Sequence, residues 1–132
     1  MNYKIVTAAV FRKERTILLM RRALGEILAS KWEFPGGKLE VGETPETCLK
    51  RELKEELDIQ AEIGQHICDS LYNYSTGSIL LKAYFVDQYS GNIQLQVHDK
   101  MQWIDYTELL TFELAPADIE VAQKIKEVMS CV

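Results

Sequence analysis

Three carboxylates, Glu52, Glu55 and Glu56, follow one another at i, i+3 and i+4 spacing, with Arg51 directly before them. At 3.6 residues per turn these positions share one face if the segment is helical. The sequence favours that helix. Thr44 is a good N-cap, Pro45 suits the first helical position, and no further proline or glycine intervenes before Leu57. Like charges this close cost an isolated helix a few tenths of a kcal/mol per pair, and a hard divalent cation converts that repulsion into a binding site. Mg²⁺ takes oxygen ligands, commonly carboxylates together with substrate phosphates, whereas zinc would call for a His/Cys cluster that is absent here. Taken alone, the run Glu52 to Leu57 reads as a solvated helix face, since such runs are common on exposed helices. Trp32-Glu33-Phe34-Pro35-Gly36-Gly37-Lys38 upstream shifts the balance, because its glycines let the backbone approach a ligand closely.

The elements that must position this ridge can be read coarsely. Leu49, Leu53 and Leu57 form a stripe beside the acids and should pack on a sheet. Residues 3–11 read as a buried strand, 12–15 as a polar turn and 16–20 as a second strand. A loop over 23–31 lies near the site. After the helix, 63–74 and 79–87 read as strands joined by Ser75-Thr76-Gly77-Ser78, and Ser90-Gly91-Asn92 as another turn. A short strand is expected over 101–105, a helical turn over 107–110, and a final helix from Pro116 to about Met129. Cys48 should serve helix packing and Cys131 belongs to the tail.

The stretch from Gly37 to Ile59 resembles the Nudix box, G-x5-E-x7-R-E-U-x-E-E-x-G-U with U aliphatic. Gly37, Glu43, Arg51, Glu52, Leu53, Glu55, Glu56 and Ile59 match it; Asp58 stands where the family has glycine. Asp tolerates a left-handed cap better than most residues, so the exchange should cost some stability rather than activity. Residues 33–40 and 42–46 are similar to the MutT-type branch, and Leu114-Ala115-Pro116-Ala117-Asp118-Ile119 resembles the matching segment of CTP pyrophosphohydrolases and oxidised-nucleotide hydrolases. The resemblance implies an α/β fold, an αβα sandwich with a mixed β-sheet between helices. It also implies hydrolysis of a nucleoside triphosphate to a monophosphate and pyrophosphate in nucleotide-pool cleansing, with 8-oxo-dGTP or (d)CTP-like substrates leading. On it, Glu52, Glu55, Glu56 and the Gly36 carbonyl hold Mg²⁺, with Mn²⁺ able to substitute, and Glu52 is the first choice of general base. Arg51 orients the ridge and pairs with Glu43, which supports the loop. Lys38 and Arg22 contact phosphates, Arg22 being alternatively an exposed arginine that closes a strand. Glu33 and Phe34 line the base pocket. Asp118 faces the base, or alternatively serves the N-terminal turn of the last helix; ionised it can only accept, which suits the O6 of 8-oxoguanine poorly unless the carboxyl is protonated in an apolar pocket. Trp32 and Trp103 could stack on a base, core packing being the stronger reading for Trp103.

One departure bears on mechanism. MutT-type relatives often carry a further glutamate ahead of the tryptophan-bearing strand, and here Val97 holds that place, followed by His98 and Asp99. Either Asp99 reaches in, or the box glutamates suffice; His98 is a candidate base or a plain loop histidine, and His66 has no expected role. Hydrolysis of ADP-ribose or another dinucleotide is an alternative, as is a catalytically silent nucleotide-sensing module, which Val97 favours and the three intact glutamates oppose.

Composition fits this picture. The 132 residues, 47% of them apolar, suffice for a single domain over 1–132 with one core, and a formal net charge of −5 argues against broad binding to a nucleic-acid polymer. Three scattered cysteines point to reduced thiols and a cytoplasmic setting, and neither a signal peptide nor a membrane-spanning run is visible. The expected assembly is a monomer or weak homodimer.

Overall fold

A computed structural model describes residues 3–26 and 28–130; Cys131 lies outside them. The order of elements is β1 (Tyr3–Lys13), β2 (Thr16–Arg22), β3 (Trp32–Glu33), α1 (Pro45–Leu57), β4 (Gln60–Glu62), β5 (His66–Tyr74), β6 (Gly77–Val86), β7 (Gln88–Ser90), β8 (His98–Asp105), a 3₁₀ turn (Tyr106–Thr111) and α2 (Pro116–Ser130).

The main sheet runs β3-β2-β1-β6-β5, with β8 on the other edge of β2. It is mixed: β1 and β6 are parallel from Tyr3↔Ser78 to Phe11↔Val86, and the remaining pairs are antiparallel. Alternation along β1 builds an αβα sandwich. Ala8 and Val10 face the layer containing Val121 and Ile125 of α2, while Ala9 and Phe11 face the layer containing Leu49, Leu53 and Leu57 of α1. The leucine stripe of α1 is therefore fully buried, which leaves the acid ridge on the flank of the helix.

β1 and β2 pair only beside their turn, at Arg12↔Ile17 and Lys13↔Thr16, and then splay apart. The segment from Trp32 onward fills the gap. β3 pairs with β2 at Met20↔Glu33 and Arg21↔Trp32, and the chain after it pairs with β1, where Ala9 N–H donates to the Pro35 carbonyl and Thr7 N–H to the Gly37 carbonyl. A Cβ on Gly36 would sit 1.9 Å from the Thr7 carbonyl oxygen, so glycine is required there by close backbone approach.

The sequence reading needs several adjustments. β1 continues to Lys13, and the turn contracts to Glu14 and Arg15, with Glu14 left-handed at φ 56°. The expected strand over 63–74 begins only at His66, as β5, and a short strand not expected from the sequence, β4 at Gln60–Glu62, precedes it and pairs with β7 in a separate two-stranded sheet. The β5–β6 turn is Ser75-Thr76, since Gly77, at φ 137°, already pairs with Tyr74. β8 starts at His98, three residues earlier than expected.

Candidate active site

α1 has the bounds its sequence dictates. Thr44 and Thr47 form a reciprocal cap: the Thr44 hydroxyl accepts from the Thr47 N–H at 3.2 Å, and the Thr47 hydroxyl accepts from the Thr44 N–H at 3.0 Å. At the other end Asp58 adopts φ 57°, ψ 41°, and its N–H closes on the Leu53 and Lys54 carbonyls. The Asp58 carboxylate also accepts from Lys54 Nζ at 2.9 Å.

Arg51 organises the acids. Its Nε and Nη2 donate to the two oxygens of Glu43 at 2.7 and 3.0 Å. Its Nη1 donates to Glu52 at 2.8 Å and to Glu55 at 3.1 Å, and Nη2 also reaches the Lys38 carbonyl at 3.2 Å. The guanidinium holds the Glu43 carboxyl down at about 2, and the Glu40 N–H adds to this. Glu56 goes the other way. Burial, and then the hydrogen bond and charge of Glu52, push its carboxyl up to about 8, with a further push from Glu33. Among the described residues no group of three or more His, Cys, Asp or Glu side chains is arranged to hold a metal ion, and Glu52 and Glu55 both pair with Arg51. Chemically the donor set still fits a hard cation. It consists of carboxylate oxygens without a thiol or imidazole among them, and the half-buried, adjacent Glu52–Glu56 pair is the kind of arrangement that a divalent charge relieves. Gly36 lies alongside, its carbonyl flanked by two that are bound to β1. Gly37 is packed so closely that a Cβ would sit 2.2 Å from the Glu52 carboxyl carbon.

Gly36 and Gly37 also line a cavity of about 180 Å³, bounded further by Arg22, Glu33, Phe34 and Asp118. Asp118 is 6% exposed. Its Oδ1 accepts from the Phe34 N–H at 3.2 Å. Burial first, and then the charge of Glu33, push its carboxyl well above the usual range. Asp118 lies in the first turn of α2 and also lines the cavity. A wider groove of about 570 Å³, lined by Lys50, Lys54 and Tyr89, lies along another flank of α1 and shares none of these groups.

Arg22 is not a plain exposed arginine. Its Nη1 donates to Glu33 Oε2 at 2.9 Å, and the same oxygen meets His98 Nε2 at 2.8 Å. The His98 side chain is fully buried at the start of β8, so it is no loop histidine. Its Nδ1 and Arg22 Nε are buried with no partner among the described residues. Asp99 does not reach in as the sequence allowed: Arg21 Nε and Nη2 hold both its oxygens, each at 2.9 Å, because alternation along β8 turns it away from His98. Val97 contributes its carbonyl, which accepts from the Ala23 N–H. Lys38 pairs through its backbone with Val6, beside the site. Trp32 packs edge-on against Phe112 with centroids 5.3 Å apart, and Trp103 packs on the α1-side core; neither lines the cavity. His66 sits on β5 against Asp69, and Cys48 is buried beneath Gly37 and Thr7.

Sequence reasoning missed Tyr74 as a cavity residue. Its only signal was an aromatic at the end of a strand, which gives no hint of the site it borders.

A NUDIX domain model matches residues 1–125. The chain belongs to the Nudix hydrolase family. Enzymes of this family generally need a divalent metal ion. This Nudix chain is 36% identical over 118 residues to the CTP pyrophosphohydrolase of Escherichia coli K12, an alignment covering 89% of this chain and 87% of that one. It is 31% identical over 122 residues to the 8-oxo-dGTP diphosphatase of the same organism, covering 92% and 95%. Among solved structures, the solution structure of the E. coli ORF135 protein superposes with a TM-score of 0.88 at 34% identity, covering 98% of this chain and 92% of that one.

Proposed function

We propose that this Nudix hydrolase is a Mg²⁺-dependent nucleoside triphosphate pyrophosphohydrolase, with oxidised guanine nucleotides or (d)CTP-like pyrimidine nucleotides as substrates, working as a single domain in the cytoplasm to cleanse the nucleotide pool. One observation carries the reading: Gly37 lies against Glu52 and also lines the Asp118 cavity, so an acid ridge suited to phosphate chemistry and a pocket suited to a flat ring share one wall. The names of the relatives, CTP pyrophosphohydrolase and 8-oxo-dGTP diphosphatase, support the substrate classes.

Glu52, Glu55, Glu56 and the Gly36 carbonyl would hold the cation, which when bound neutralises charge on the phosphate oxygens and on the leaving pyrophosphate. Glu52 takes the proton of a water that attacks phosphorus, and the bond from that phosphorus to the bridging oxygen breaks to give monophosphate and pyrophosphate. Arg51 fixes the rotamers of Glu52 and Glu55 and is itself fixed by Glu43. Arg22 and Lys38 steady the phosphates, and Phe34 supplies an apolar wall for the base.

The test is a nucleotide panel with Mg²⁺ and identification of the products. Pyrophosphate released from a triphosphate by the wild type, and lost in Glu55→Gln, supports the reading. Binding without turnover across the panel would point to a silent sensor instead.

A further inference from the structure

Tyr74 stands in the Asp118 cavity with a hydrogen-bonding capacity that the fold uses only in part. It ends β5 opposite Gly77, and Tyr72 packs against it with ring centroids 4.6 Å apart. Its hydroxyl oxygen accepts the Ala117 N–H at the start of α2, at 3.1 Å. A phenol carries one proton besides its lone pairs. With the amide on the lone-pair side, that proton points elsewhere, and among the described residues it has no acceptor within hydrogen-bond distance. Asp118, the next residue after Ala117, complements it. Its Oδ1 is taken by the Phe34 N–H, while Oδ2 has no partner among the described residues and is not sealed from the cavity. The cavity thus offers one free donor beside one free acceptor, between the apolar walls of Phe34 and Leu81.

We propose that Tyr74 is a specificity-determining residue, donating its phenolic hydrogen bond to an acceptor on the nucleobase while Asp118 accepts from the neighbouring N–H. This rests on the nucleotide reading above and deepens it. Asp118 has a single free oxygen, Oδ2, which cannot serve both a base N–H and the carbonyl beside it. Burial raises its carboxyl, an N–H brought against Oδ2 favours the charged, accepting form, and Tyr74 then supplies the donor for the neighbouring acceptor. The matching ligand edge is a donor next to an acceptor. In 8-oxoguanine N7–H lies beside O6, and in cytosine the amino group lies beside N3. Unmodified guanine presents two adjacent acceptors, N7 and O6, on its major-groove edge and would set a lone pair against Asp118 there, so it can match the pair only by turning its N1–H and O6 toward the cavity.

Tyr74→Phe removes the donor and keeps the ring. With 8-oxo-dGTP or dCTP, whichever the wild type hydrolyses, the variant should raise KM roughly tenfold, the worth of one buried hydrogen bond, with kcat held within about twofold. Turnover of base-free 2-deoxyribose 5-triphosphate should not change, and this also reports that the variant is folded. An unaltered nucleotide KM, or an equal loss on the base-free compound, overturns the proposal. Should Tyr74→Phe fail to fold, Tyr74→His, which keeps a ring N–H, is compared with Tyr74→Leu, which has none; a lower KM for the histidine variant supports the proposal and equality overturns it. If the wild type cleaves no triphosphate, the functional reading fails separately, and calorimetric titration with 8-oxo-dGMP and dCMP still decides on Tyr74. Binding by the wild type roughly tenfold tighter than by Tyr74→Phe supports it, while equal or absent binding sinks it.

Discussion

Gly36 and Gly37 are adjacent, and neither has positive φ, so alanine at either position is limited by space alone. The spaces differ in kind. At Gly36 a new Cβ would sit 1.9 Å from the Thr7 carbonyl oxygen and 2.7 Å from its carbon. Both are backbone atoms inside β1, and the strand must move. Overpacking against a fixed backbone should cost about 3 kcal/mol, or roughly 10 °C in Tm for a chain of this size. At Gly37 the new Cβ would meet Glu52 Oε2 at 2.3 Å and the carboxyl carbon at 2.2 Å. That is the end of a flexible side chain, which withdraws by about 1.5 Å to reach van der Waals contact. The stability cost should be about 1 kcal/mol, roughly 4 °C. Displacing a proposed base and metal ligand by this amount should nevertheless lower kcat about a hundredfold. Calorimetric melts and initial rates of pyrophosphate release on Gly36→Ala and Gly37→Ala separate the two effects. If Gly37→Ala keeps kcat within threefold of the wild type, or melts as early as Gly36→Ala, the placement of Glu52 against Gly37 does not carry the function assigned to it.

Arg51→Lys cannot reproduce the fork that grips Glu43, Glu52 and Glu55 together; activity should fall by roughly ten- to a hundredfold, more than for Glu43→Gln, in the same pyrophosphate assay. His98→Leu removes a buried donor to Glu33, so Arg22 should lose its alignment and KM should rise, whereas His98→Gln keeps an N–H and should retain more of the affinity; equal kinetics for the two variants would exclude a hydrogen-bonding role. Asp118 has a raised carboxyl in the folded state, so the folded protein binds more protons there than the unfolded chain. Its contribution to stability is complete below the unfolded value of about 3.9 and is lost as pH rises through the folded one. Asp118→Asn should therefore gain stability relative to wild type as pH rises across that window, with no such trend in denaturant midpoints measured below it.

Much of the site was legible in the chain because its parts are local. The bounds of α1, from its Thr44 cap to the left-handed Asp58, follow from residue types within a turn of each end. The shared flank of Glu52, Glu55 and Glu56 follows from helical spacing, and the Glu43–Arg51 pair from the box that both belong to. The burial of the first strand and the start of α2 at Pro116 were equally open to reading. Tertiary structure alone decided what depends on register between distant strands. Pairing of β8 with β2 buries His98 against Glu33 and turns Asp99 out to Arg21, a difference of one residue that reverses which side chain approaches the site. The splay of β1 from β2 creates the slot that residues 35–39 fill, and the meeting of β5 with α2 sets Tyr74 beside Asp118. Local spacing fixes which side chains on one helix are neighbours. Contacts across 30 to 80 residues of chain arise only once the sheet has chosen its pairing, and no short pattern encodes that choice.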